Sequence, residues 1–273
     1  MNTLKSVGLA GLAAATLFAG PTFATVCPTG TQGAPTCIAT AGGDGSGTSL
    51  QEKLDGMTTN PGDINVYKDQ ITPSAHWSVA STGLSENKFV FEIAGNSAAN
   101  TFGIFDPADS NNRLALFSGA ATTGWSTQLQ VLGTGEYIAT YFNALGVYQN
   151  QAFGHLSTAN LFGYYIGVPG GAFFSDPSLN PTNATYPGGT AQMVAYAGNG
   201  STSLTIGSFK GKFNSGEYLL AWEDKAQGDW DYNDMVVLVE SVHPVPEPAA
   251  LGMFGLGALL LGGFMALRRR EEG

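Results

Sequence analysis

Beyond residue 57 the chain is a series of short apolar runs broken by Gly, Asn, Asp and Pro. KFVFEIA (88–94) alternates Phe89, Phe91 and Ile93 with Lys88, Val90 and Glu92, the period of a half-buried strand. TFGIF (101–105) and RLALFSG (113–119) flank the turn sequence DPADSNN. STQLQVL (126–132) and EYIATYF (136–142) are joined by GTG, a hairpin signal. LFGYYIGV (161–168), AQMVAYAG (191–198), STSLTIGSF (201–209), GEYLLAWED (216–224) and MVVLVESV (235–242) follow. Roughly ten strands with almost no helical periodicity predict an all-β domain over 50–243, a β-sandwich of jelly-roll type. No internal repeat argues for a solenoid or propeller. Pro169–Gly189 reads as a long surface loop.

One short helix is predicted at Ser49–Met57. Ser49 and Glu52 have capping-box spacing, and Leu50, Leu54 and Met57 share one face. Residues 25–49, ending in TAGGDGSGTS, read as a Gly- and Thr-rich arm ahead of the domain.

The two ends carry a different pattern. Lys5, the apolar run Val7–Ala19 and the small-residue site Thr22-Phe23-Ala24 predict a signal peptide over 1–24, too short to span a bilayer. Ala249–Leu267 holds 19 uncharged, mostly apolar residues. As a helix it is about 28 Å long, enough to cross the hydrocarbon core. Arg268, Arg269 and Arg270 follow at once and belong on the cytoplasmic side. Both ends therefore predict an exterior that is exported to the cell envelope, the cell surface or the medium, anchored at least for a time by the C-terminal helix.

Charge narrows the partners. Between Thr25 and Pro244 there are 7 Lys+Arg against 18 Asp+Glu. Such a surface repels phosphate backbones, which excludes nucleic acid as a partner, and suits divalent cations. Cys27 and Cys37 are the sole cysteines. In an oxidising compartment they are expected to form a disulfide.

Val245-Pro246-Glu247-Pro248, the apolar helix and the arginine cluster stand in order over 244–273. This arrangement resembles the PEP-CTERM sorting signal. The resemblance implies an exosortase-type processing enzyme as partner, with Pro246, Glu247 and Pro248 as the recognition element. Arg268, Arg269 and Arg270 would be the retention signal. Two prolines keep such a segment extended and free of competing hydrogen bonds, as a peptide entering an active site must be.

The candidate chemistry sits before the last predicted strand. Glu223, Asp224, Asp229, Asp231, Asn233 and Asp234 fall within twelve residues. Oxygen ligands at Asp229-x-Asp231-x-Asn233 can converge on a hard cation, and Ca²⁺ accepts six to eight oxygens in loose geometry. The stretch is no EF-hand: Asp234 stands where that loop requires Gly, and the flanks read as strands. AWED, DWDYND and MVVLVE together resemble an uncharacterised (DUF-type) β-rich domain family of surface proteins, over 50–243. Two readings stand. Either Asp and Asn cap turns while Trp222, Trp230 and Tyr232 pack, or the group holds a cation. Mutual repulsion of the carboxylates favours the cation. A second acidic turn, Asp106, Asp109, Asn111 and Asn112, reads as a plain turn.

His76, His155 and His243 lie in no catalytic motif; HExxH, GxSxG and Walker A patterns are absent. The expectation is a non-enzymatic surface or matrix protein, stabilised by Ca²⁺ and associated with exopolysaccharide or biofilm. The alternative is a carbohydrate-binding or adhesin module using Trp77, Trp125, Trp222 or Trp230 as stacking platforms. A third is an extracellular hydrolase with Glu223 and Asp229 as its carboxylate pair.

Overall fold

The computed structural model describes residues 27–43, 47–81, 83–92, 99–181 and 190–246. The predicted signal peptide, the predicted membrane helix 249–267, and Glu247, Pro248, Arg268, Arg269 and Arg270 lie outside the described residues.

The elements in chain order begin with strands β1 (Thr31–Gln32) and β2 (Ile38–Ala39), helix α1 (Leu50–Asp55), β3 (Gln70–Ile71) and β4 (His76–Val79). Next come β5 (Leu84–Glu92), β6 (Thr101–Asp106), β7 (Asp109–Ser118), β8 (Ser126–Leu132), β9 (Glu136–Phe142) and β10 (Tyr148–His155). The last are β11 (Gly163–Val168), β12 (Gly171–Phe174), β13 (Met193–Ala197), β14 (Ser203–Ile206), β15 (Phe209–Lys212), β16 (Glu217–Trp222), β17 (Met235–Glu240) and β18 (Val242–Val245).

The expected all-β sandwich is what forms. An eight-stranded sheet runs β10-β9-β8-β5-β17-β16-β13-β3, and a four-stranded sheet β12-β11-β6-β7 faces it. Every pairing within them is antiparallel. The main core holds Phe102, Ile104, Leu116, Tyr164 and Ile166 from the smaller sheet, with Phe89, Leu129, Leu220, Trp222, Val237 and Val239 from the larger. Phe102 stacks on Tyr164 and meets Trp222 edge-on, so large rings fill the middle of the sandwich.

A second core lies on the opposite face of the large sheet. Leu219, Ala221, Val236, Leu238, Val194 and Tyr196 pack there against Leu50 and Leu54 of α1, Ile38 of β2, and Leu204 and Ile206 of β14. Strands β13, β16 and β17 are thus apolar on both faces, which is why MVVLV shows no alternation. Helix α1 carries the full capping box, with the Ser49 hydroxyl and the Glu52 carboxylate each accepting from the other's backbone N–H.

Three sequence expectations are refined. Of the disulfide-bearing arm expected over 25–49, the described part docks on the domain: β1 and β2 form a hairpin closed by the expected Cys27–Cys37 disulfide, and Ile38 is fully buried in the second core. A Gly-rich composition hid a docking surface of few residues. Pro169–Gly189 is not all loop: Gly170 adopts φ +89°, and β12 folds back on β11 with Tyr165 opposite Phe174. The domain does not close at His243, since β18 continues to Val245 in register with His76 of β4. Strand β10 carries no alternation in its sequence because it forms the sheet edge and its side chains are mostly exposed on both faces.

Candidate metal centre

The acidic residues occupy the connection from β16 to β17. These strands pair in full register, Trp222 opposite Met235, so the ends of the connection are fixed at the sheet. Glu223 and Asp224 leave β16, and Asp234 enters β17. Between them Trp230 and Tyr232 both adopt left-handed backbone, at φ 63° and 53°. That conformation costs an L-residue roughly 1–2 kcal/mol. The return is visible in the packing. Trp230 and Tyr232 sink into the second core, and the Tyr232 hydroxyl donates to the Ala191 carbonyl at 2.8 Å. The alternating Asp229, Asp231 and Asn233 are thereby gathered beside Glu223.

All six predicted residues are brought into one neighbourhood. Glu223, Asp231, Asn233 and Asp234 are 0% exposed and Asp224 2%. Asp229 is the partly exposed member. Their ligand oxygens fall into two triads, Glu223–Asp229–Asp231 and Glu223–Asp224–Asp234, each with its atoms within 4.8 Å of one another. Two ligands of one Ca²⁺ at about 2.4 Å cannot lie farther apart than that.

Backbone amides orient the carboxylates. Trp230 N–H donates to Glu223 Oε2 at 3.0 Å, Asp224 N–H to Asp234 Oδ2 at 2.7 Å, and Asn233 N–H to Asp231 Oδ1 at 3.1 Å. The Asn233 amide donates to Asp231 Oδ2 at 2.6 Å and to the Thr48 carbonyl at 3.0 Å. Not all oxygens are used. Glu223 Oε1 and Asn233 Oδ1 are buried without a hydrogen-bond partner. Burial, and then the charge of Asp229, push Glu223 up to about 8. Lys225 is the nearby cation, 3.9 Å from Asp224.

Four contributors were beyond sequence reasoning. Asn100, fully buried, donates to Asp224 Oδ2 at 3.1 Å, and its own Oδ1 has no partner. Gly43 N–H donates to Asp231 Oδ2 at 2.7 Å, and Thr48 supplies the carbonyl noted above. Gly228 has no room for a side chain because the Glu223 carboxylate occupies that space. Asn100, Gly43 and Thr48 are distant in sequence, so no spacing could reveal them.

The second acidic turn is capped as a plain turn. Asp106 accepts from Ala108 N–H, from the Asn112 amide, and from the N–H and hydroxyl of Ser157, while Asp109 accepts from Asn111 N–H. Of the tryptophans, Trp77, Trp222 and Trp230 are buried, and Trp125 is half-buried. Pro246 of the sorting motif is exposed just past β18. Among the described residues, no helix is long and apolar enough to cross a membrane.

Comparison with known families places both features. Residues 134–242, from β9 through β17 and including the whole acidic connection, match the family described as "Domain of unknown function (DUF4114)". Residues 244–270 match the "PEP-CTERM protein-sorting motif". No curated protein matches the chain. The chain thus carries a PEP-CTERM sorting motif beside an uncharacterised β-rich domain, and the motif implies export and sorting by an exosortase-type enzyme.

Proposed function

We propose that the exported domain is a non-enzymatic surface or matrix module whose β16–β17 connection is locked by Ca²⁺. The carrying observation is Glu223 Oε1, a fully buried carboxylate oxygen with no hydrogen-bond partner, inside a group of five carboxylates. Two charges about 5 Å apart repel by about 3 kcal/mol at an effective dielectric near 20. Several such pairs, with the Lys225 ammonium 3.9 Å from Asp224, favour a metal cation as counterion. The donor set is all oxygen, with no His or Cys, which suits Ca²⁺ over Zn²⁺ or copper.

The same burial speaks for a structural ion over hydrolysis. Glu223 is 0% exposed, and none of the acidic residues of the β16–β17 connection lines the open grooves at Trp125 and at Phe153. The tail would hold the chain in the membrane until processing, and an acidic exterior would sit in an exopolysaccharide layer.

A carbohydrate-binding reading has one observation in its favour. Trp125 and Tyr141 line a groove of about 450 Å³ with the amides of Gln149 and Asn150 and no charged side chain. An aromatic floor beside amides suits a neutral sugar. Loss of glycan-array binding in Trp125→Ala would support it, and an array with no hits would remove it.

The calcium reading is tested by thermal melts of the full chain in detergent micelles. At a hundredfold excess of Ca²⁺ over Kd the expected stabilisation is about 2.7 kcal/mol. That is roughly 5–10 °C for a domain of this size. A midpoint that moves with neither EDTA nor added Ca²⁺ rejects it.

A further inference from the structure

The acidic connection does not converge on a single point. Its five carboxylates separate into two triads that share a single member, Glu223. Each triad alone meets the distance limit for one hard cation, and the two are not interchangeable. The first has Asp229 and Asp231, with Asn233 hydrogen-bonded to Asp231 and Gly43 behind it. The second has Asp224 and Asp234, with Asn100 hydrogen-bonded to Asp224.

Each side also has a buried neutral oxygen still lacking a partner: Asn233 Oδ1 on the first, Asn100 Oδ1 on the second. Both residues are 0% exposed. An amide that gives its N–H to a cluster carboxylate and keeps its oxygen unused is placed as a cation ligand, since a buried acceptor without a donor is otherwise a net cost. Glu223 itself has one oxygen engaged by Trp230 N–H and one unused.

Resting on the calcium reading above, we propose that this connection holds two Ca²⁺ ions bridged by the Glu223 carboxylate. Asp229, Asp231 and Asn233 serve one, and Asp224, Asp234 and Asn100 serve the other. Charge supports the count. One dication leaves the five carboxylates and Lys225 net negative in a buried place, whereas two bring the group to neutrality. The arrangement also explains why an aspartate stands at 234, where a single calcium loop has glycine: Asp234 belongs to the second ion. No covalent or redox step is involved.

The test is calcium stoichiometry of the full chain in detergent micelles. The chain is stripped with EDTA and equilibrated with ⁴⁵Ca²⁺ by dialysis in 150 mM NaCl, which screens exposed carboxylates. Two ions per wild-type chain are expected, falling to one in each of Asp231→Asn and Asp234→Asn and to none in Glu223→Gln. One ion per wild-type chain overturns the bridged pair and leaves the single-ion reading standing. None overturns both. Circular dichroism checks the fold of each variant, and the wild-type count decides the matter should a variant fail to fold.

Discussion

Gly43 and Asp229 meet with no room between them: a methyl group on the Gly43 α-carbon would collide with the Asp229 carboxylate. The N-terminal segment therefore forms one wall of the acidic connection. Gly43→Ala should destabilise the fold by about 1–3 kcal/mol, as overpacking does. It should also shrink the Ca²⁺-dependent rise in thermal midpoint, because Asp229 must move. Paired melts of both proteins in EDTA and in Ca²⁺ check this; an undiminished calcium shift in the variant would contradict it.

Calcium dependence should vary with pH. Burial and Asp229 raise Glu223 from the usual carboxylate range to about 8, so without metal the folded state retains a proton there between about 4.5 and 8. That proton stabilises the metal-free fold most below 4.5, and its contribution is lost as pH rises through about 8. Calcium must displace it. The gain in midpoint on adding Ca²⁺ should be larger at pH 8 than at pH 5.5. Equal gains at both would show that Glu223 is no ligand.

A second acidic contact is independent of any metal. Glu240 stands opposite Glu217 in the β16–β17 ladder, and burial, then Glu86 and Glu217, raise it to about 7 although Lys88 opposes. The raised value means its stabilising proton is fully held below about 4.5 and lost as pH rises through about 7. Glu240→Gln should therefore match wild type at pH 5 and exceed it at pH 8. After discounting for solvent screening of a half-buried group, the gain is about 1 kcal/mol. Urea titrations at the two pH values measure it.

The disulfide should matter beyond its own loop. Cys27–Cys37 closes the hairpin whose Ala39 N–H donates to the Trp230 carbonyl at 2.8 Å. Replacing both cysteines by serine should cost about 2–3 kcal/mol. It should also weaken calcium binding, since Trp230 lies between Asp229 and Asp231. Isothermal titration of the double variant reads both the affinity and the number of sites.

The tail gives a prediction in cells. Where the processing enzyme is present, mass spectrometry of the C-terminus should find no chain that retains Arg268–Arg270. In cells lacking that enzyme the intact end should appear. An intact end in both would leave a simple anchor in place of sorting.

What could be read from the sequence had a local signal. The hairpin of β8 and β9 was legible because Gly133-Thr134-Gly135 sits between two alternating runs, and Gly135 does take φ +88°. Helix α1 was legible from the capping pair Ser49 and Glu52 and the apolar face of Leu50, Leu54 and Met57. The acidic residues were legible as a group because all six lie in one connection. What escaped depends on distance along the chain. Asn100 reaches Asp224 across 124 positions, and Gly43 reaches Asp231 across 188. Nothing local to a glycine run announces that its amide will face a carboxylate. Of the four tryptophans offered as candidate sugar platforms in the alternative reading, three are core residues, and for Trp222 and Trp230 packing was the other expectation. An aromatic in a β-protein has the same sequence context whether it faces a ligand or another ring, as Trp77 shows by packing edge-on against Tyr164 and Tyr218.

Strand β18 sets the spacing between the domain and its tail. Val245 is hydrogen-bonded into register with His76, and Pro246, the first residue of the Pro-Glu-Pro element, is the very next one. There is no tether of free chain on the domain side of the motif. An enzyme that closes over that element must therefore accommodate the folded sheet within one residue's reach, about 3.5 Å of extended backbone. The domain thus acts as a fixed doorstop directly against the first proline of the motif.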